Sequence, residues 1–434
     1  MMAGTSQRDI TPKPGGELSG FAARVQPSTG LLDPLYAKAL YIKTAQSQLL
    51  WIHCDLIGYD RSIVDSFRNW AQAELRLAPD QVLLSATHTH AGPATIHLRE
   101  AGEYDPAYVT FLQHKLRETA AAAMANPEKV EFVSVDSQLD LAVDRRKSAS
   151  AHIDSRIAAF GFKRPDGSFL AAIINYPIHP VALGSTNRLI SGDISGQASQ
   201  SLSQQLPGTP VVFMTNGASG NLNPPAENVS FEQVSVWGQK IANAVSQLLQ
   251  NAGTTNEPVL EVRSRMVRLP LDVLSEKELT ACAESALNNA ESLAQWNGKY
   301  VRVVEHWCRT LLAACRAGKV ETHREAELFA VRLGKISFLG VNAEVFSDFT
   351  DWLRSATTGD LYIIAYANGD TGYLPTATAY IEGGYEVDVA HMFYGGFRPR
   401  RGSLELLAEE AKLLLKSFGQ PAAKDQESAI PAKT

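Results

Sequence analysis

The four cysteines of this 434-residue chain, Cys54, Cys282, Cys308 and Cys315, form no C-x-x-C pair. That argues against a thiolate zinc site and against a disulfide framework, so reduced thiols in a cytosol are expected. No segment reaches the ~18 consecutive apolar residues that a membrane-spanning helix needs, and the opening MMAGTSQRDITPKPGGELSG lacks the apolar stretch of a signal peptide. A cytoplasmic location follows as the expectation. A basic surplus is missing too: 40 Lys and Arg against 46 Asp and Glu leave a formal charge of -6, which disfavours nucleic acid as a partner. Neither an internal repeat nor a low-complexity linker is evident, so no domain boundary can be drawn.

What is present is the patterning of an α/β protein. With 45% hydrophobic residues the chain can bury a large core. The stretch AKALYIKTAQSQLLWIHCDLIGY holds two apolar runs around a polar turn, the mark of a hairpin. DRSIVDSFRNWAQAEL then places apolar residues at helical spacing, and QVLLSATHTH returns to a short buried run. FVSVDSQLDLAVD, IAAFGFKRPDGSFLAAIINYPIHP and PVVFMTNGAS read as further strands, with a tight turn at Pro165-Asp166-Gly167. DISGQASQSLSQQL reads as a helix. The region from about 275 to 330 is Ala-rich and is expected to be a helical insertion, opened by a capping box of Ser275 and Glu278. KISFLGVNAEVFSDFTDWLR is a strand entering a helix, and LYIIAYANGDTGYLPT is a strand entering a Gly-rich loop. The fold class expected is α/β, a mixed β-sheet core with flanking helices. One catalytic domain is expected over residues 1–418, and the polar residues 419–434 read as a disordered tail.

Polar and ionisable groups stand at the ends of these strands: His88 and His90, His179, then Asn216 with Asn221 and Asn223, Glu344, and Asp370 with Tyr373. Ligands of α/β sheets bind at carboxyl strand ends, so five such ends predict one shared site. Two imidazoles and a carboxylate match the ligand set of a catalytic zinc, although manganese and iron accept the same donors. A bound metal ionises water near neutral pH and removes the need for a Ser or Cys nucleophile. On an extended H-x-H the two rings should point to opposite faces, which makes one a ligand and the other a proton-transfer or supporting group. His53 reads as a core histidine, and His97, His114, His152, His306 and His323 as surface residues. Asp55 reads as a buried hydrogen-bonding hub, and GFRPRRG at 396–402 as a solvated basic patch.

The ordered set RDITP, GLLDPLYAKAL, SATHTHAGP, NYPIHPVALG, SGDISG and TNGASGNLNP resembles the catalytic domain of the neutral/alkaline non-lysosomal ceramidases, over about residues 3–230 and again over 336–386. The resemblance implies one zinc per chain, held by His88, His179 and Glu344, with Tyr373 in or against the metal shell and Tyr385 close by. It implies His90 as the acid/base or polarising imidazole and Arg145 as a pocket arginine.

Three departures accompany it. Where the family has G-D-x-S-P with an important serine, the chain reads GNLNP, which puts Asn223 at the serine. The family's immunoglobulin-like C-terminal domain and its secretion signal are not in the sequence. The tyrosine-rich wording near the last ligand is replaced by NGDTGYLPT. The reading is therefore a zinc-dependent hydrolase that cleaves an amide bond of a small or polar substrate. Oxyanion stabilisation would fall to His90, Arg145 or Asn223. A glycoside- or ester-cleaving metalloenzyme and a non-catalytic binding protein are the alternatives.

Overall fold

The computed structural model of the protein describes residues 1–146, 152–254, 259–288, 296, 298–357 and 359–420. Its strands follow the period-2 rule closely. In Tyr36–Lys43 the side chains of Ala37, Ala39 and Tyr41 face a helical layer, whereas Leu40 and Ile42 face a central core. Both faces are covered, and this is why these strands read as continuous apolar runs in the sequence.

The topology repeats three times. The first unit contains β1 (Met2–Asp9), β2 (Tyr36–Lys43), β3 (Gln48–Cys54), helix α1 (Arg61–Leu75), β4 (Val82–Ala86) and α2 (Pro106–Ala125). The second contains β5 (Glu131–Gln138), β6 (Arg156–Lys163), β7 (Phe169–Asn175), α3 (Asp193–Gln205), β8 (Val211–Thr215) and α4 (Phe231–Asn251). The third starts with β9 (Leu260–Pro270), then inserts α5 (Glu276–Leu287) and α6 (Lys299–Arg316). It resumes with β10 (His323–Leu333), β11 (Ile336–Val341), α7 (Asp348–Arg354), β12 (Asp360–Ile364) and α8 (Ser403–Lys416).

Each unit forms a sheet in which three antiparallel neighbours are followed by a helical crossover to a parallel fourth strand, giving β1-β2-β3-β4, β5-β6-β7-β8 and β9-β10-β11-β12. No repeat is visible at the level of residue identity, so the expectation of no internal repeat is corrected at the level of architecture. One face of each sheet is covered by its own helices. The other faces meet in a shared core, where Trp51 of β3 packs edge-on against Phe213 of β8 and Phe338 of β11, at 5.4 and 5.7 Å between centroids.

The helical insertion ends earlier than expected, at Arg316. Its capping box of Ser275 and Glu278 forms, but His323–Leu333 is a strand, paired along its length with Leu260–Pro270. The mix of Glu/Arg and apolar residues in HREAELFAVRL suits a strand as well as a helix, and only the distant partner decides between them. Residues 289–295 and 297 of the insertion, and 421–434 of the expected tail, lie outside the described residues. Gly419 is tied down, its N–H donating to Glu261 Oε2 at 2.9 Å. No described helix is long and apolar enough to cross a membrane.

Candidate metal centre

The tips of the third and fourth strands of all three units converge. β4 ends at Ala86, and His88, two residues later, adopts a left-handed backbone conformation with φ 63°. Tyr366 stands two residues beyond β12 in the same conformation, φ 57°, and its ring stacks on that of His88 at 3.8 Å. Past β7 comes His179, and past β11 comes Glu344. The backbone reversal at His88 corrects the expectation that His88 and His90 face opposite ways. Their ring centroids lie 4.9 Å apart, and both rings line one cavity.

Carbonyl oxygens set the tautomers of two of these histidines. Ile57 O lies 2.5 Å from His88 Nδ1, and Ser219 O lies 2.8 Å from His179 Nδ1. A carbonyl can only accept, so each Nδ1 carries the proton and each Nε2 of a neutral ring presents a lone pair. Glu344 Oε2 faces both, 3.2 Å from His179 Nε2 and 3.5 Å from His88 Nε2. Burial lowers the pKa of His179 to about 4, so its ring is neutral at pH 7. Glu344 is buried as well, and its Oε2 meets two Nε2 lone pairs where a buried carboxylate needs a donor or a cation. Three electron-pair donors thus face one another in a buried space, an arrangement that fits a cation between them.

His90 extends the cluster. Ligand atoms of His88, His90 and His179 lie within 4.8 Å of one another, so the three could hold a metal ion. Both ring nitrogens of His90 are buried without a hydrogen-bond partner. Burial and the adjacent His88 and His179 push its pKa well below 6.5. Gly20 makes room for the ring, because a Cβ there would sit 2.4 Å from His90 Cγ.

Supporting groups come largely from the third unit. Tyr394 OH is 2.8 Å from Glu344 Oε1 and 3.0 Å from Asp370 Oδ2. One hydroxyl proton cannot serve both, and Asp370, pushed up to about 7 by burial and by Glu344, can supply the second. Tyr366 OH lies 3.3 Å from His179 Nε2. Tyr373 pairs with Glu344 through the backbone, lies beneath the Arg145 guanidinium at 5.3 Å and meets Tyr385 edge-on. The tyrosine hydroxyl within hydrogen-bonding reach of a histidine is therefore that of Tyr366, a residue the sequence hid inside an apolar run. Tyr385 is 39% exposed and lines the cavity.

Arg145 donates to Glu386 Oε1 at 2.8 Å, to Gly220 O at 2.8 Å and to Asn223 Oδ1 at 3.3 Å. Asn223 in turn donates to Glu227 Oε1 at 2.7 Å. Asn216 and Asn221 do not line the cavity. Asn216 donates to Thr87 O, and Asn221 ties Asp144 to Ser347, so both brace strand tips. Asp193 accepts from the backbone of Ala182 and Leu183 and so anchors the loop after His179. Asp55 is a buried hub as expected, accepting from Tyr36 N and lying 3.5 Å from Lys38 Nζ. Within the basic patch Arg398 pairs with Asp272 and Asp388, away from the cavity.

The metal-free protein carries a pH signature of this burial. His179 stays neutral in the fold down to about pH 4, whereas the unfolded chain takes up its proton near pH 6.5. The unfolded state then binds more protons, so stability falls as pH drops from 6.5 to 4, by up to roughly 3 kcal/mol from this group. Asp370, raised to about 7, and Asp33 and Asp193, raised to about 6, act in the opposite sense, so the check is the difference between wild type and His179→Phe in urea unfolding of chelator-treated protein; an equal pH dependence in the two contradicts it.

Comparison with known proteins agrees with this architecture. No family model matches the chain. A neutral ceramidase from Pseudomonas aeruginosa is 24% identical over 220 residues, 45% of this chain and 32% of that protein. The aligned region thus spans about a third of the relative's length. The crystal structure of neutral ceramidase from Pseudomonas aeruginosa superposes with a TM-score of 0.74 at 17% identity, covering 96% of this chain and 74% of that one. A ceramidase complexed with C2 gives a TM-score of 0.73 at 16% identity, covering 96% and 75%. The chain resembles neutral ceramidase in sequence and shares its fold.

Proposed function

We propose that the chain is a metal-dependent hydrolase that cleaves an amide bond, with one zinc ion held by His88, His179 and Glu344. The observation that carries the reading is the meeting of two Nε2 lone pairs with a carboxylate oxygen at 3.2 and 3.5 Å. The likeness to ceramidases, enzymes named for ceramide, which is itself an N-acyl amide, supports the choice of bond. A divalent ion in that position would supply Lewis acidity, polarising a carbonyl and bringing the ionisation of water towards neutral pH.

The chain's own residues supply the rest. His90, neutral and without a protein partner for either nitrogen, can donate one N–H to the carbonyl oxygen as charge develops, or take up a proton at its other nitrogen. Arg145 acts through its charge and by holding Asn223, with its Nε–H and one N–H on each terminal nitrogen engaged by Glu386, Asn223 and Gly220. Asn223 keeps a second Nδ2–H beyond its bond to Glu227, placed at the cavity wall. Tyr373 and Tyr385 shape the wall beside Arg145, and the Tyr366 hydroxyl, 3.3 Å from His179 Nε2, would stand beside the ion.

The test is a panel of N-acyl amides, esters and glycosides offered to protein of measured metal content. Amide turnover that is lost on chelation and restored by zinc is expected. Full activity in a metal-free preparation, or turnover of glycosides alone, would overturn the reading.

A further inference from the structure

The cavity, of about 970 Å³, has two chemically unlike walls. One is built of rings: Trp296, Phe393 and Tyr385 touch pairwise with centroids 5.6, 6.2 and 6.3 Å apart. Trp296 is brought there by the helical insertion, whose Lys299 Nζ donates to Arg24 O at 2.8 Å and to Glu100 O at 3.1 Å. The other wall is charged. Apart from Glu344, the cavity is lined by Arg145 and Arg146 on one side of the ledger and by Glu227, Glu382 and Glu386 on the other.

Glu386 engages both arginines, at 2.8 and 2.5 Å, and Glu382 reaches Arg146 at 3.4 Å. Glu227 hydrogen-bonds the neutral Asn223 amide and makes no salt bridge with any described residue, feeling the Arg145 charge only at longer range. Among the described residues the wall therefore carries one carboxylate more than it has cations. Resting on the function proposed above, we infer that the substrate is an N-acyl diamine, with its acyl group against the rings and its second, protonated amine against Glu227. Hydrolysis would add hydroxyl to the acyl carbon, break the C–N bond and leave the proton on nitrogen, giving a carboxylate and a diamine. An N-acyl amino acid would instead bring its carboxylate against Glu227, a like-charge contact.

The experiment compares three amides with the same acetyl group, made from a diamine, an amino alcohol and an α-amino acid, using the metal-containing enzyme. The expected kcat/KM for the diamine amide exceeds that of the amino alcohol amide by about fivefold or more, and the margin shrinks at high salt. Glu227→Gln removes the margin through KM, and Glu227→Asp keeps part of it. An unchanged margin in Glu227→Gln, or a preference for the amino acid amide, overturns the inference. Calorimetry with the free diamine separates this proposal from the one it rests on. If no amide is cleaved but the diamine binds and Glu227→Gln abolishes binding, the cationic subsite stands and amide hydrolysis falls. If the diamine does not bind, the subsite falls whatever the turnover.

Discussion

His179→Ala is expected to lower bound zinc from one ion per chain to a small fraction of that and to reduce amide kcat/KM by on the order of 10³-fold or more, beyond the ~10–100-fold typical of an outer partner. The imidazole is fully buried, with its Nδ1 fixed by Ser219 O and its Nε2 aimed at Glu344. His88→Ala should behave alike, because Ile57 O fixes that ring in the same manner. Tyr394→Phe gives the internal contrast. It removes the hydroxyl on Glu344 Oε1 without removing a proposed ligand, and it should weaken metal affinity by only ~10–100-fold. Elemental analysis and steady-state kinetics on the three variants check the order. Equal losses in all three would mean that Glu344 is held chiefly by Tyr394 and that the histidines are packing residues.

Trp51→Ala is expected to cost about 3–5 kcal/mol of stability, the range for truncating a buried large aromatic residue. The indole is 1% exposed and touches rings from the other two sheets, and its Nε1–H donates to Ser85 Oγ at 2.8 Å. Alanine would leave a void where the three sheets meet, and the Ser85 hydroxyl, which Trp51 shares with His53, would lose one of its two partners. Urea denaturation followed by circular dichroism measures the loss. A change below about 1 kcal/mol would show that the sheets do not depend on one another at this point.

The legible parts of the fold are those in which local pattern and final structure obey one rule. The hairpin of β2 and β3, the helix α1 and the turn at Pro165-Asp166-Gly167 follow from period-2 runs, helical spacing and turn chemistry over a few residues. The β9–β10 pairing joins strands separated by two helices, and nothing local in HREAELFAVRL specifies its partner. The threefold architecture was hidden because it resides in the order of elements, while residue identities differ from unit to unit.

The candidate site divides in the same way. His88, His179 and Glu344 were readable because each stands where an apolar run stops, which is where strand tips of an α/β protein gather. The shared orientation of His88 and His90 was not readable, since it depends on a positive φ at a histidine, and extended geometry predicts the reverse. Tyr366 was missed for a related reason: in LYIIAYANG it reads as one more apolar strand residue, although it lies beyond the strand in the same backbone conformation as His88. An apolar run ending in Y-A-N-G, ahead of a glycine loop, was the available signal.

The account depends most directly on where a metal sits. Crystals of the zinc-loaded protein, with anomalous differences collected on both sides of the zinc edge, would locate it. The account predicts a single strong peak within bonding distance of His88 Nε2, His179 Nε2 and Glu344 Oε2. A peak elsewhere, or none there in protein that hydrolyses amides, would contradict it.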